Sequence, residues 1–270
     1  MENILKKITE KKKEKIISSK KNFPLNSLLN NIKNVKNVKN VINFKDKMKN
    51  LNLKKKISII AEIKKASPSA GLIVKNFDPL NIAKLYIENG ASFLSVLTEE
   101  DFFMGKLDYI KKIKDFYKTP ILCKDFFIDT YQVPLAKNFG ADCILIILAA
   151  VDESLAKDLY QTANDLNIST IIEIHTEKEA ELALNFENSI IGINNRNLKT
   201  LEVSIKSSIN LSKILKPHSN PIVCESGINS ADDIKFILNN TNINNFLIGE
   251  SLLRSNDIAS KLREFTEITL

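Results

Sequence analysis

Glu62 and Lys64 stand two residues apart in the stretch IAEIKKASPSAGL (60–72), where an apolar run ends in a Ser-Pro-Ser-Ala-Gly turn. Side chains alternate along a strand, so an acid and a base at this spacing share one face. Read alone, the pair is either the start of a reaction site or an ion pair capping the strand. The same texture recurs further on. Lys124 and Asp125 close the run PILCKDF (120–126), Glu173 and His175 close TIIEIH (170–175), and Asn194, Asn195 and Arg196 close SIIGINNR (189–196). Glu225, Ser226 and Gly227 close PIVCESG (221–227), and Gly249, Glu250 and Ser251 close NFLIGES (245–251). Charged groups that converge away from water must pair, shift their pKa values or meet a charged ligand. An ion-pair layer closing the mouth of a fold is the alternative to a site that works on acids, bases and a charged substrate.

The elements that must hold these groups follow from the apolar runs. SIIAEI (58–63), FLSVLT (93–98) and CILIILAA (143–150) complete a set of eight, separated by helix-like segments such as PLNIAKLYIENG and DESLAKDLYQTANDL. Several of these segments open with Asp, Ser or Asn at capping positions. Such alternation predicts βα units with parallel strands covered on both faces. Eight units in about 200 residues match an α/β fold of the (β/α)8 barrel type, whose sites sit at the C-terminal strand ends. A doubly wound open sheet is the rival, but no GxGxxG or GxxxxGK[ST] motif follows any run. Ser-Gly after the seventh strand and Gly-Glu-Ser after the eighth offer backbone N–H groups where such barrels often hold a phosphate.

Ahead of the barrel, residues 1–56 read as an N-terminal helical extension packed on residues 57–270. Residues 1–20 form a helix by the spacing of Ile4, Leu5, Ile8, Ile16 and Ile17. Residues 21–56 carry a weaker apolar stripe (Leu28, Leu29, Ile32, Val35, Val38, Val41, Ile42) that supports one more helix and then a linker.

Composition narrows the function classes. With 270 residues, 44% hydrophobic and 26% charged, the chain is of ordinary globular type with ample core. No run reaches the roughly 18–20 apolar residues of a membrane span, and the charged start lacks the core of a secretion signal. A cytoplasmic protein is expected. Cys123, Cys143 and Cys224 lie singly inside apolar runs and read as buried free thiols. Two histidines and no Cys/His cluster give a metal site little support. The net charge of +7 comes from lysines crowded into residues 6–56, among asparagines rather than stacking aromatics. That favours a solvated basic face over nucleic-acid binding.

In their order along the chain, IAEIKKASPSAGLI, FLSVLTEEDFFMG, PILCKDFFIDTYQV, DCILIILAA, IIEIHTEKEAELAL, IGINNRNLKTLEV, VCESGI and FLIGESLLR resemble the motifs of indole-3-glycerol phosphate synthase. ILKKITEKKKEKI resembles that family's leading helix, so the likeness covers almost the whole chain. The resemblance implies a carboxy-lyase of tryptophan biosynthesis that needs no cofactor. It converts 1-(2-carboxyphenylamino)-1-deoxyribulose 5-phosphate into indole-3-glycerol phosphate, carbon dioxide and water. It implies Lys124 as the acid of ring closure, Glu173 as acid/base in dehydration and Lys64 beside the substrate carboxylate, able to act as the dehydration acid. Glu62 and Asn194 orient the lysine and the substrate hydroxyls, and Arg196 supplies binding charge. Ser67, Ser226, Gly227, Gly249 and the backbone at Glu250 map to the phosphate pocket. Phe103, Phe126 and Leu198 map to the wall of the anthranilate ring; simple barrel filling is the other reading of Phe126. His175 is expected beside the site rather than in it.

The chain departs from the family pattern at Ala70, Lys106 and Pro134, none of which removes a proposed catalytic group. The partner expected is the phosphorylated substrate alone: no nucleic acid, no membrane, and a monomer, since nothing forces self-association. A phosphoribosylanthranilate isomerase-like barrel is the enzymatic rival, but that reaction calls for one Cys and one Asp rather than this set of acids and lysines.

Overall fold

Eight parallel strands close on themselves in chain order in the computed structural model, which describes residues 4–34, 43–198 and 200–269. They are β1 (Ser58–Ile63), β2 (Phe93–Leu97), β3 (Ile121–Lys124), β4 (Cys143–Ile147), β5 (Ser169–Ile174), β6 (Ile190–Asn194), β7 (Ile222–Glu225) and β8 (Asn245–Ile248). Helices fill the connections: α4 (Pro79–Glu88), α5 (Asp108–Lys114), α6 (Gln132–Asn138), α7 (Glu153–Asp165), α8 (Glu177–Ala183), α9 (Lys206–Ile214), α10 (Ala231–Asn240), with α11 (Glu250–Leu253) and α12 (Ile258–Thr266) after β8. Asp78, Asp152 and Ser230 cap α4, α7 and α10, and Ser230 forms a full capping box with Asp233. The architecture is a (β/α)8 barrel.

Two cores result from the strand period of two. Ile59, Ala61, Ile63, Leu94, Val96, Ile144 and Ile146 face outward onto the helices. Ile60, Phe93, Leu122, Leu145, Ile171, Ile190, Val223 and Leu247 fill the barrel interior. Stepping two residues towards the C-terminal end from these interior positions reaches Glu62, Lys124, Glu173, Gly192, Glu225 and Gly249. One more step reaches Lys64, Phe126, Asn194 and Gly227. The parity that packs the interior therefore also aims the polar strand ends into the barrel mouth.

Among its described residues the N-terminal segment contributes three helices where two and a linker were expected: α1 (Ile4–Asn22), α2 (Leu25–Asn34) and α3 (Phe44–Leu53). The expected stripe positions Val35, Val38, Val41 and Ile42 lie outside the described residues. Phe44 and Met48, one helical turn apart, are fully buried in the interior core and stop the N-terminal end of the barrel. The Phe44 and Phe93 rings lie 4.4 Å apart. Asn43 caps α3 by accepting from the Asp46 N–H, and it also accepts from Ser169 Oγ at the start of β5. The surrounding lysines and asparagines hide this short apolar pair from a periodicity reading.

The basic extension is not uniformly solvated. Lys12 on α1 is buried and meets Asp125, just after β3, at 2.6 Å. Asp125 also accepts from Thr98 Oγ1 at 2.6 Å, so its charge is fully engaged. Lys47 donates to the Ser92 carbonyl and lies 5.0 Å from the Phe93 ring centroid. Nearer the surface, Lys15 pairs with Glu100, Lys20 with Asp129, and the Tyr131 hydroxyl donates to the Ser19 and Phe23 carbonyls. These contacts fasten α1 across the β2 and β3 ends. Cys123, Cys143 and Cys224 are free and buried. Among the described residues no helix is long and apolar enough to cross a membrane.

Removing the Phe44 ring opens a cavity in a closed end that nothing else can fill. Phe44→Ala should cost about 3–5 kcal/mol of unfolding free energy, read from denaturant titration. A loss below about 1 kcal/mol would show that α3 does not seal the barrel.

Candidate active site

The mouth of the barrel opens into a cavity of about 440 Å³, within the ordinary range for a small-molecule site. All the residues that the family resemblance assigns to catalysis or substrate binding line it: Glu62, Lys64, Ser67, Phe103, Lys124, Phe126, Glu173, Asn194, Arg196, Leu198, Ser226, Gly227, Gly249 and Glu250. Ile4, Leu5 and Ile8 of α1 add an apolar edge.

At the centre is Lys124. Its ammonium lies 2.8 Å from Glu173 Oε2 and 2.6 Å from Glu225 Oε2. Both carboxylates are almost wholly buried. Burial works against the charged lysine, but Glu173, Glu225 and Glu62 outweigh it and hold its pKa above the ordinary lysine value. The two carboxylates are driven apart. Burial pulls Glu173 up, yet Lys124 and His175 override it and hold the carboxyl well below the usual range. Glu225 is dominated by burial, with the Glu173 charge adding to it against the pull of Lys124, and is pushed up to about 7. One acid is thus kept ionised and the other sits near neutrality, the arrangement that separates base from acid at a shared site.

Glu225 was visible in the sequence as a polar strand end but received no role. Parity with interior-facing Val223 was the signal that places it beside Lys124. Its second oxygen, Oε1, is buried without a hydrogen-bond partner and packs against Gly192 of β6.

Glu62 and Lys64 form the second acid-base pair at 2.6 Å, as the strand spacing implies. The register sets Glu62 opposite Ser95 of β2. Gly249 allows this approach: a Cβ there would stand 2.5 Å from Glu62 Oε1. Gly192 does the same for Glu225, whose Oε1 would meet such a Cβ at 2.2 Å. Asn194 donates to Glu173 Oε1 at 3.1 Å and accepts from the Arg196 N–H, which fixes its amide. Arg196 reaches the Leu201 carbonyl and lies 4.0 Å from Glu250.

The turn after β1 folds into a two-residue ladder, Ala66–Ser67 with Gly71–Leu72. Ser67 is buried there and accepts from the Ala70 N–H, while Ala66 donates to the Phe103 carbonyl and ties this turn to the loop after β2. Across the mouth, Ser226 and Gly227 both have positive φ, +65° and +86°. Successive residues of this kind can turn their N–H groups into a concavity suited to an anion. Phe103 and Phe126 stand 6.2 Å apart by centroid and form an aromatic wall near Leu198. His175 does not line the cavity; it lies behind Glu173, at 3.3 Å.

The relatives of the chain agree with one another. The family model described as indole-3-glycerol phosphate synthase matches residues 5–265. An indole-3-glycerol phosphate synthase of Legionella pneumophila (strain Lens) is 42% identical over 264 residues, 98% of each chain. One of Acetivibrio thermocellus is 44% identical over 212 residues, covering 78% of this chain and 81% of the relative. Among solved structures, tryptophan synthase subunit alpha of Legionella pneumophila str. Paris aligns with a TM-score of 0.60 at 12% identity, covering 82% of this chain and 96% of that one, and speaks for the fold alone. With the family model spanning nearly its whole length and relatives this similar, the chain belongs to the indole-3-glycerol phosphate synthase family.

Proposed function

We propose that the barrel mouth performs the family's reaction with Lys124 and Glu173 as its central acid and base. That reaction closes the ring of 1-(2-carboxyphenylamino)-1-deoxyribulose 5-phosphate, releases carbon dioxide and water, and yields indole-3-glycerol phosphate for tryptophan biosynthesis. The observation that carries the assignment of roles is the pair of short contacts from Lys124 to Glu173 and Glu225 within the cavity.

In the first step the aromatic carbon bearing the carboxylate attacks the C2′ carbonyl, and Lys124 donates a proton to the carbonyl oxygen as it becomes a hydroxyl. The bond to the carboxylate then breaks, carbon dioxide leaves, and its electron pair restores the aromatic ring. In dehydration Lys64 protonates the departing hydroxyl while Glu173 takes the proton from C1′, forming the indole double bond. General acid and base action of this kind is worth about 10²–10⁴-fold in rate for each group. An ammonium held by two carboxylates stays loaded with its proton, and Glu173 stays ionised, so each is in its working state at neutral pH. Glu225 shares the Lys124 proton and steadies the lysine when Glu173 becomes protonated.

Binding follows from the remaining groups. The Ser226-Gly227 turn, Gly249, the Glu250 backbone and Ser67 hold the phosphate, and Arg196 adds positive charge. Phe103, Phe126 and Leu198 pack on the anthranilate ring, and Ile4, Leu5 and Ile8 cover it from α1. Glu62 and Asn194 orient lysine and hydroxyl groups. Residues 1–56 act as an accessory to residues 57–270, finishing the pocket rather than working apart from it.

Lys124→Ala and Glu173→Gln should each lower kcat by about 10²–10⁴-fold with the fold retained, as followed by indole fluorescence. Near-wild-type turnover in both purified variants would remove the two residues from these roles.

Glu225 gives a pH signature in stability. Its folded pKa of about 7 lies above the ordinary 4.5, so between those values the folded state holds the extra proton. Stability therefore falls as pH rises through that window, and the full cost is present above about pH 7. Glu225→Gln, which keeps a carbonyl for Lys124, should gain stability over the wild type at pH 8 and lose that advantage near pH 4, while turnover drops. Denaturant titrations at the two pH values measure this. A variant less stable than the wild type at pH 8 would contradict it.

A further inference from the structure

Behind the phosphate side of the mouth lies a buried polar cluster that the reaction itself does not use. Asn194 and Arg196 line the cavity, so Asn195 between them faces the other way, towards α9. It is 2% exposed and stands outside the cavity lining. Its amide nitrogen donates to the Ser226 carbonyl at 3.0 Å and to Cys224 Sγ at 3.2 Å. Its amide oxygen accepts from the Ser208 backbone N–H and from Ser208 Oγ, both at 3.0 Å. Every donor and acceptor place on the side chain is therefore filled.

Three segments meet at this one amide. Ser208 is fully buried in the first turn of α9, and Ile205, which precedes that helix, has no side-chain oxygen to cap it. Asn195 satisfies the helix end from a distance. Its own main chain is tied down too: the N–H donates to the Glu225 carbonyl at 2.9 Å, and the carbonyl accepts from the Ser204 N–H at 3.0 Å. The end of β6, the turn after β7 and the start of α9 are thus joined.

The turn after β7 needs such a hold. Ser226 has a φ of +65°, which a residue with a Cβ keeps only when its surroundings impose it. A peptide group is planar and trans, so its C=O and N–H point opposite ways. The Ser226 carbonyl is drawn outward to Asn195, which turns the Gly227 N–H of the same peptide towards the mouth. Gly227 in turn carries the packing of the loop between β6 and α9. A Cβ there would stand 2.8 Å from Val203 Cγ1 and 2.9 Å from Ile205 Cγ2, and Val203 bridges back to Arg196.

We propose that Asn195 is a positioning residue for the substrate phosphate, locking the Ser226-Gly227 turn to the loop that carries Arg196. It rests on the phosphate placement given above. The locked turn and the guanidinium then meet one anion together. Asn195 supplies no charge and touches no reacting atom. Its contribution is preorganisation, which spares the turn an ordering cost when the phosphate arrives. Without the amide, the Ser226 carbonyl loses its donor and the turn relaxes from its left-handed conformation. The phosphate takes no part in bond making, so its grip is equal in the ground and transition states. A weaker grip therefore appears in KM rather than kcat.

Asn195→Ala in the full chain tests this, with inorganic phosphate as a competitive inhibitor against the substrate. KM and the phosphate Ki should rise together by about tenfold, as for one hydrogen bond lost from a buried network, with kcat within about threefold. Ser208→Ala loosens the amide from the other side and leaves Ser226 in place. It should raise both constants by about two- to threefold, because the Ser208 N–H still holds the amide oxygen. If Asn195→Ala does not fold, Ser208→Ala decides by the same split. Wild-type KM and Ki in the folded variants overturn the proposal. So does a fall in kcat with Ki unchanged, which marks a general packing defect. Gly227→Ala separates the proposal from the reading beneath it, since the added Cβ disturbs the turn directly. A Ki that ignores Gly227→Ala removes the phosphate from this turn, and the proposal with it. A Ki that responds to Gly227→Ala but not to Asn195→Ala removes only the role of Asn195.

Discussion

One ammonium shared by two buried carboxylates organises this molecule. Lys124 on β3 meets Glu173 on β5 and Glu225 on β7, three alternate strands whose ends converge only because the sheet is closed. An unpaired carboxylate at this depth would cost several kcal/mol, and two side by side would repel as well. The lysine makes both tolerable, and they in turn keep it charged. The arrangement stores chemistry as an imbalance: one carboxyl is held ionised and its neighbour is brought close to neutrality, although both accept from the same nitrogen. The burial that makes the trio expensive also strengthens every charge interaction within it.

Closure explains why the same positions serve packing and reaction. Interior residues such as Leu122, Ile171 and Val223 hold the strands at fixed register, and the next interior-facing positions are Lys124, Glu173 and Glu225. The site is therefore as rigid as the core beneath it. Strand ends position these groups more firmly than loops could, while substrate-covering contacts are left to the turn after β1 and to α1.

The barrel was legible because strand periodicity and spacing are local. Eight apolar runs at βα spacing demand parallel strands, and no rival phosphate-loop motif competes. The mouth was legible for the same reason: Glu62 with Lys64, and Asn194 with Arg196, declare their shared face by separation alone. Roles for most pocket residues came from family resemblance, since strand spacing does not say which acid ionises. What escaped depended on partners distant in sequence. Glu225 stood in plain view, but its place against Lys124 requires the barrel's curvature. Lys12 looked like one more solvated lysine in a basic run, yet Asp125 buries it across more than a hundred residues. Phe44 and Met48 are a short apolar pair in polar surroundings, and only the open end of a barrel gives them a reason to be buried.

The N-terminal extension consequently has two attachments of different kinds. At the bottom, α3 contributes apolar volume, which needs shape rather than exact direction and tolerates no charge. At the top, α1 is held by ion pairs and hydrogen bonds that fix orientation: Lys12 to Asp125, Lys15 to Glu100, and Tyr131 to the Ser19 and Phe23 carbonyls. Directional contacts suit an element whose Ile4, Leu5 and Ile8 must edge a cavity without filling it. The buried Lys12–Asp125 pair is the inner pin of that set, and it lies one residue from Lys124 in sequence.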